Sequence, residues 1–173
     1  MIFGKTNLKS TGIATIASVV VLILGSSFFS HVSAQTKDIK AVTDVLNREA
    51  AAVEKGDLAT LDKLWVNDSS VTVFESGYAN YGWDDYRNHH LAPELKEFKN
   101  TKYAFSDLRI KTSGSLAFAT LKYTISGDDN GKHFEGSGLA TAVLEKGEGK
   151  WRIVHWHSSA PRRQPAQSPT PKN

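Results

Sequence analysis

From Asn100 onward the chain is patterned as strands, and glycine turns cut it into pieces of similar length. Tyr103 to Lys111, Leu116 to Ser126, Lys132 to Glu145 and Lys150 to Ser159 are rich in β-branched and aromatic residues, which suit a pleated surface. Ser113-Gly114, Gly127-Asp128-Asp129-Asn130-Gly131 and Gly147-Glu148-Gly149 lie between them. Turns of this composition join antiparallel neighbours. Four strands joined in this way form a meander. Helical patterns precede it, and helices segregated ahead of an antiparallel sheet predict the α+β class.

The helical part reads in three pieces. Thr36 is the expected cap of a helix from Lys37 to Lys55, where Ile39, Val42, Leu46, Ala50 and Val53 recur at helical spacing. Gly56 stops it, and Asp57 caps a short second helix with Leu58, Leu61, Leu64 and Trp65 on its apolar stripe. Val71 to Phe74 is a short strand. A third helix is predicted over roughly Trp83 to Phe98, broken at Ala92-Pro93 because proline disfavours helical geometry in the residue before it. On it Trp83, Tyr86 and His90 share one stripe.

The two ends read differently. Met1 to Ala34 has Lys5 and Lys9, then a charge-free apolar run, then the small residues Val32-Ser33-Ala34. This is the pattern of a secretory signal, with cleavage expected after Ala34 and a periplasmic or secreted product that keeps no stable membrane association. Of the 173 residues, 139 would remain, with 19 basic against 18 acidic side chains. That length suits one domain, expected over residues 35–161. The near-neutral balance gives no electrostatic case for nucleic acid. Residues 162–173, rich in proline and polar groups, are expected to be disordered. The absence of cysteine excludes disulfides, thiolate chemistry and cysteine metal sites.

The candidate chemistry sits on the last strand. Side chains alternate across a strand. Unbroken alternation puts Trp151, Ile153, His155, His157 and Ser159 on one face, and Arg152, Val154, Trp156 and Ser158 on the other. The first face begins apolar and ends in two imidazoles, as a strand would when it runs from a core into the mouth of a pocket. Trp156, on the opposite face, is expected at a dimer interface. His155 and His157 should have Cα atoms about 6.6–6.8 Å apart. With His90 or His89 as a third ligand they could hold a transition metal, and imidazole-only ligation suits copper or zinc. The same histidines serve equally as hydrogen-bonded pocket groups without metal. A second reading makes His155 or His157 a general base, with Asp84 or Glu135 orienting it or acting directly. A third is a binding module whose ligand meets Trp83, Tyr86, His90, Tyr78 and Tyr81. Trp65 reads as core packing, and Gly136-Ser137-Gly138 as a bulge or bend inside a strand.

Two N-terminal helices, a short strand, a helix opening at Gly82-Trp83, and a meander ending in Trp151-Arg152-Ile153-Val154-His155-Trp156-His157-Ser158-Ser159 together resemble the SnoaL-like branch of the nuclear transport factor 2-like superfamily. The resemblance covers about Thr36 to Pro161. It implies a cone: a curved antiparallel sheet wrapped around three helices, with a pocket inside. It also implies a homodimer, since many members pair through the outer sheet face. Members include cyclases, ketosteroid isomerase, dehydratases and non-catalytic association modules. The expectation is therefore an exported pocket protein that binds a small molecule or a metal, with an isomerase, cyclase or dehydratase activity using a pocket histidine as base as one alternative and a non-catalytic dimeric association module as another. The aspartate–tyrosine arrangement of ketosteroid isomerase has no residue-by-residue match here.

Overall fold

The computed structural model describes residues 14–161, with side chains from Ala34 onward. The chain divides into two units, residues 1–38 and residues 39–173. Residues 1–13 of the expected signal, and residues 162–173 of the expected tail, lie outside the described residues. No helix among the described residues is long and apolar enough to cross a membrane.

Helix α1 (Ala14–Lys55) begins well before the expected start at Lys37. Thr36 is therefore inside the helix and is not its cap. The reason is local: no glycine or proline stands between Gly25 and Gly56 to interrupt helical geometry. Gly56 ends the helix with a positive φ of 64°, and the Asp57 N–H reaches back to the Ala52 carbonyl at 2.8 Å. Asp57 then caps α2 (Leu58–Leu64), accepting from the Thr60 N–H at 3.0 Å.

Strands β1 (Thr72–Glu75) and β2 (Tyr78–Tyr81) form a hairpin, where the sequence pattern had indicated only the first. α3 (Trp83–Tyr86), a π-helical turn (Arg87–Leu91) and α4 (Ala92–Glu97) follow without interruption. The break expected at Pro93 is absorbed by that wider turn, in which the Ala92 N–H bonds to the Arg87 carbonyl. Then come β3 (Phe98–Ser113), β4 (Leu116–Asp129), β5 (Lys132–Gly147) and β6 (Lys150–Ser159). The sheet order is β2-β1-β6-β5-β4-β3. Every pairing is antiparallel except β1 with β6. The fold is α+β, a curved and unclosed sheet with helices against its inner face.

Bulges supply the curvature. β3 slips register twice, between Lys99 and Lys102 and between Ser106 and Arg109, with Asn100 and Asp107 at positive φ. β6 slips once: Ile153 pairs with Leu144 and His155 with Val143, so Val154 is the extra residue. The core packs Val42, Val45, Leu46 and Val53 of α1 and Leu61, Leu64 and Trp65 with the inner sheet face. Ala117, Ala119, Ala140 and Ala142 keep the middle of that face low, so that the packing partners can approach it closely. Gly136 and Gly138 lie in an unbroken β4–β5 register, so they mark no bulge. A Cβ at Gly138 would collide with the Ser159 carbonyl and lie 2.6 Å from the Tyr123 hydroxyl. Those glycines answer a close approach.

Candidate functional site

The Val154 bulge decides what enters the interior. Before it, Trp151 and Ile153 are buried; after it, Trp156 is 2 % exposed and Ser158 turns inward. One extra residue reverses the alternation. His155 and His157 therefore stand on the outer face, opposite to their expected placement. Trp156 packs inside against Phe105, with ring centroids 5.6 Å apart, and no interface role remains for it on the outside.

Inside the unit formed by residues 39–173 lies a cavity of about 320 Å³. Glu75, at the end of β1, follows the inward parity of Val71 and Val73 and lines it. It accepts from the Tyr86 hydroxyl at 3.3 Å, from the Ser158 hydroxyl at 3.2 Å and from the Trp156 side chain. His90 Nε2 is 3.8 Å from it, and 3.3 Å from Glu94 Oε1. Burial raises the Glu75 pKa, against the pull of His90 and the three donors. Burial raises that of Glu94 as well, again against His90.

The orientation of His90 is set from behind. Asp85 accepts from the Asn80 side-chain amide at 3.0 Å, which turns the Asn80 carbonyl oxygen toward His90 Nδ1 at 2.9 Å. That oxygen can only accept, so Nδ1 carries a proton and Nε2 is the atom presented to the two carboxyl groups. The π-helical turn positions His90 there.

Glu49 lies on the buried stripe of α1, three residues after Leu46 and four before Val53. It is 5 % exposed, and burial, then the charge of Glu75, pushes its pKa up to about 8. At neutral pH it is a carboxylic acid that can donate. Tyr86 and Tyr103 are pushed well above the usual phenol range, first by burial and then by these carboxyl groups. The cavity thus combines an apolar aromatic wall, three carboxyl groups whose pKa burial raises, and neutral hydroxyl donors.

The other sequence-derived candidates are placed as follows. Tyr86, His90 and Tyr78 line the cavity, Tyr78 with much of its surface open to solvent. Trp83 is buried outside the lining, stacked on Trp65 at 5.2 Å, and donates to Asp62 at 3.0 Å. Tyr81 is exposed and sets its ring edge-on to Phe74. Asp84 is exposed in the first turn of α3, and Glu135 is exposed beside His133. His89 is exposed and pairs with Asp85 at 3.0 Å. His155 Nδ1 lies 2.7 Å from the Thr72 hydroxyl, and both outer histidines meet the ring of Phe74. Burial, and then the charge of His157, lowers the His155 pKa. His90 is thus separated by the sheet from His155 and His157. Among the described residues no group of three His, Cys, Asp or Glu is placed to hold a metal ion.

Sequence reasoning missed Glu49, Glu75, Glu94, Tyr103, Tyr123 and Ser158. Two of them left a signal. A glutamate on an apolar helical stripe, and a glutamate continuing the parity of Val71 and Val73, both stand where apolar residues belong.

Comparison with known proteins adds the following. Residues 42–163 match the family described as a SnoaL-like domain. Comparison with curated proteins returned no match. Among solved structures, a nuclear transport factor 2-like superfamily protein from Salmonella enterica superposes with a TM-score of 0.67 at 19 % identity, covering 76 % of this chain and 96 % of that one. A candidate ketosteroid isomerase from Shewanella frigidimarina gives 0.61 at 26 % identity, covering 69 % and 94 %. A candidate scytalone dehydratase from Novosphingobium aromaticivorans gives 0.64 at 14 % identity, covering 73 % and 85 %.

Proposed function

The chain belongs to the SnoaL-like domain family, and on that premise we propose that its cavity binds a small, largely apolar organic molecule and moves a proton on it, with Glu75 as the base. The observation that carries this is the convergence on Glu75: a carboxyl group inside a cavity, held by Tyr86, Ser158 and Trp156, with His90 behind it. A positioned base of raised pKa is what proton abstraction at neutral pH needs. The volume of about 320 Å³ suits a molecule of one or two rings. Two structural neighbours are described as an isomerase and a dehydratase, and both chemistries begin with such a step.

The Glu75 carboxylate takes a proton from the carbon next to a carbonyl, and the C–H electron pair moves into a C–C double bond as the carbonyl pair moves onto oxygen. In an isomerase the proton returns at a different carbon. In a dehydratase the oxygen pair returns to re-form the carbonyl, the C–C double bond shifts to the next carbon, and the C–O bond there breaks as its hydroxyl takes the proton from Glu75 and leaves as water. His90 Nε2, facing both Glu75 and the more exposed Glu94, connects the base to solvent. This reading transfers the base from His155 and His157, which stand outside the cavity, to a carboxyl group inside it.

The test is proton exchange on 1-tetralone in heavy water, followed by loss of its C2 proton signal in NMR. Wild-type protein should accelerate exchange, and Glu75→Gln should reduce the acceleration by about 10²–10⁴-fold. No acceleration by the wild type above a buffer control would sink the reading.

A further inference from the structure

A second cavity, of about 590 Å³, lies in the same unit and shares Trp65 as a wall with the interior one. Its charge is the reverse of the interior. Four cations line it: Arg48 of α1, Lys63 of α2, and Lys150 and Arg152 of β6. Arg48 follows Ala41, Asp44 and Val45 along one stripe of α1, so the helix presents it to the cleft. Under these charges lies a buried apolar floor of Trp65, Trp151 and Val45.

Two carboxylates line the same cleft, and they answer the cations unequally. Asp62 is already engaged: Oδ1 accepts from Arg87 at 2.6 Å and from Trp83 at 3.0 Å, and Oδ2 accepts from Arg87 at 3.0 Å. The Arg87 hydrogen bonds lower the Asp62 pKa, so its charge persists and is neutralised by a cation outside the cleft lining. Asp44 meets Arg48 at 3.6 Å with both side chains more than half exposed, and Arg152 reaches Glu148 only at 4.0 Å. Such surface pairs are weak. Four cations therefore face one loosely paired carboxylate, in a chain with 21 basic and 18 acidic side chains overall.

We propose that this cleft is a second ligand site, separate from the interior cavity, and that it takes a small organic polyanion bearing carboxylate or phosphate groups. An arginine fork matches two oxygens of either group, and the lysines add point charges. The apolar floor accommodates a carbon body. A neutral apolar compound would cover the charges without pairing them, which is costly. The interior cavity, lined by Glu49, Glu75 and Glu94, disfavours the same anion, so the two cavities divide small molecules by charge.

The test is calorimetric titration of the full chain with citrate, and separately with pyrophosphate, at constant ionic strength. At least one probe should bind saturably with a Kd below about 1 mM, and the better of the two distinguishes carboxylate from phosphate recognition. Arg48→Gln/Arg152→Gln should weaken that binding by about tenfold or more, through loss of charge-assisted hydrogen bonds. Asp44→Asn, which removes the opposing charge, should tighten it by about two- to fivefold. Lys102→Gln/Lys111→Gln removes two exposed cations of β3 outside the cleft and should leave it within about twofold. In indole N–H NMR spectra the bound probe should shift Trp151 of the cleft and leave Trp156 of the interior in place. Binding of neither probe, or equal losses in the two double variants, overturns the site. Glu75→Gln should bind the anion as wild type does, so this site and the proposed proton transfer stand or fall separately.

Discussion

Strand β6 shows two faces with different occupations. Its inner side, after Val154, carries Trp156 and Ser158 into the cavity beside Glu75. Its outer side carries His155 and His157 against Thr72 and Phe74. By residue type the outer pair would be the more obvious catalytic or metal-binding group. The inner side holds the enclosed carboxyl chemistry. Enclosure makes the difference, because a titratable group out of water is shifted and constrained by its neighbours, whereas one at the surface is screened. Residue types therefore indicate candidate chemistry only after the face they occupy is known.

The comparison can be broken most completely at the bulge. Deleting Val154 would force the end of β6 either to exchange its faces or to slip against β5, driving imidazoles inward and Trp156 outward. We expect loss of the cooperative urea transition, monitored by circular dichroism, since a one-residue slip reverses every side chain beyond it. Retention of wild-type stability would show that the bulge does not hold the two faces apart.

Truncation at single positions comes next. Trp156→Ala should cost about 3–5 kcal/mol, the range for removing a large buried aromatic group. His157→Ala on the outer face should stay within about 0.5 kcal/mol. Comparable losses in urea denaturation would erase the distinction between the faces.

A pH series sharpens the same contrast. The folded state raises the Glu49 pKa from 4.5 to about 8. Below pH 4.5 the group is protonated in both folded and unfolded chains and has no effect. As pH rises from 4.5 to about 8 the unfolded chain releases this proton while the folded chain retains it, so stability falls, and it levels off above. Glu49→Gln should therefore gain stability over wild type progressively across that window, by on the order of 3–5 kcal/mol at its upper end. Glu75, Tyr86 and Tyr103 titrate in the same surroundings, so the difference between variant and wild type is the quantity to follow. A flat difference between pH 5 and pH 8 would refute the burial argument.

The smallest effect concerns the reaction itself. The double variant His155→Ala/His157→Ala should leave tetralone exchange within about twofold of wild type, as expected for surface residues away from the reacting atoms. A hundredfold loss would return the chemistry to the outer face.

Much of the fold was legible in the sequence. The meander followed from glycine turns between β-rich runs, and β6 was delimited at Lys150 and Ser159 as observed. Gly56 and Asp57 ended one helix and began the next. β2 was hidden because its four residues carry too little pattern to distinguish a strand from an aromatic loop. The site was less legible. Tyr86 and His90 could be selected as a pair on one helical stripe. Glu75 could not be joined to them, because its partners come from two other places in the chain: Tyr86 and His90 from the third helical segment and Ser158 from β6.

The sequence alone determined most of the local elements, their order and the α+β class, because those depend on periodicity and turn chemistry within a few residues. Tertiary structure decided which face of β6 looks inward. That choice rests on one extra residue whose effect appears only when β6 is paired with β5, and the interior alone converts a glutamate on α1 into a neutral acid at pH 7.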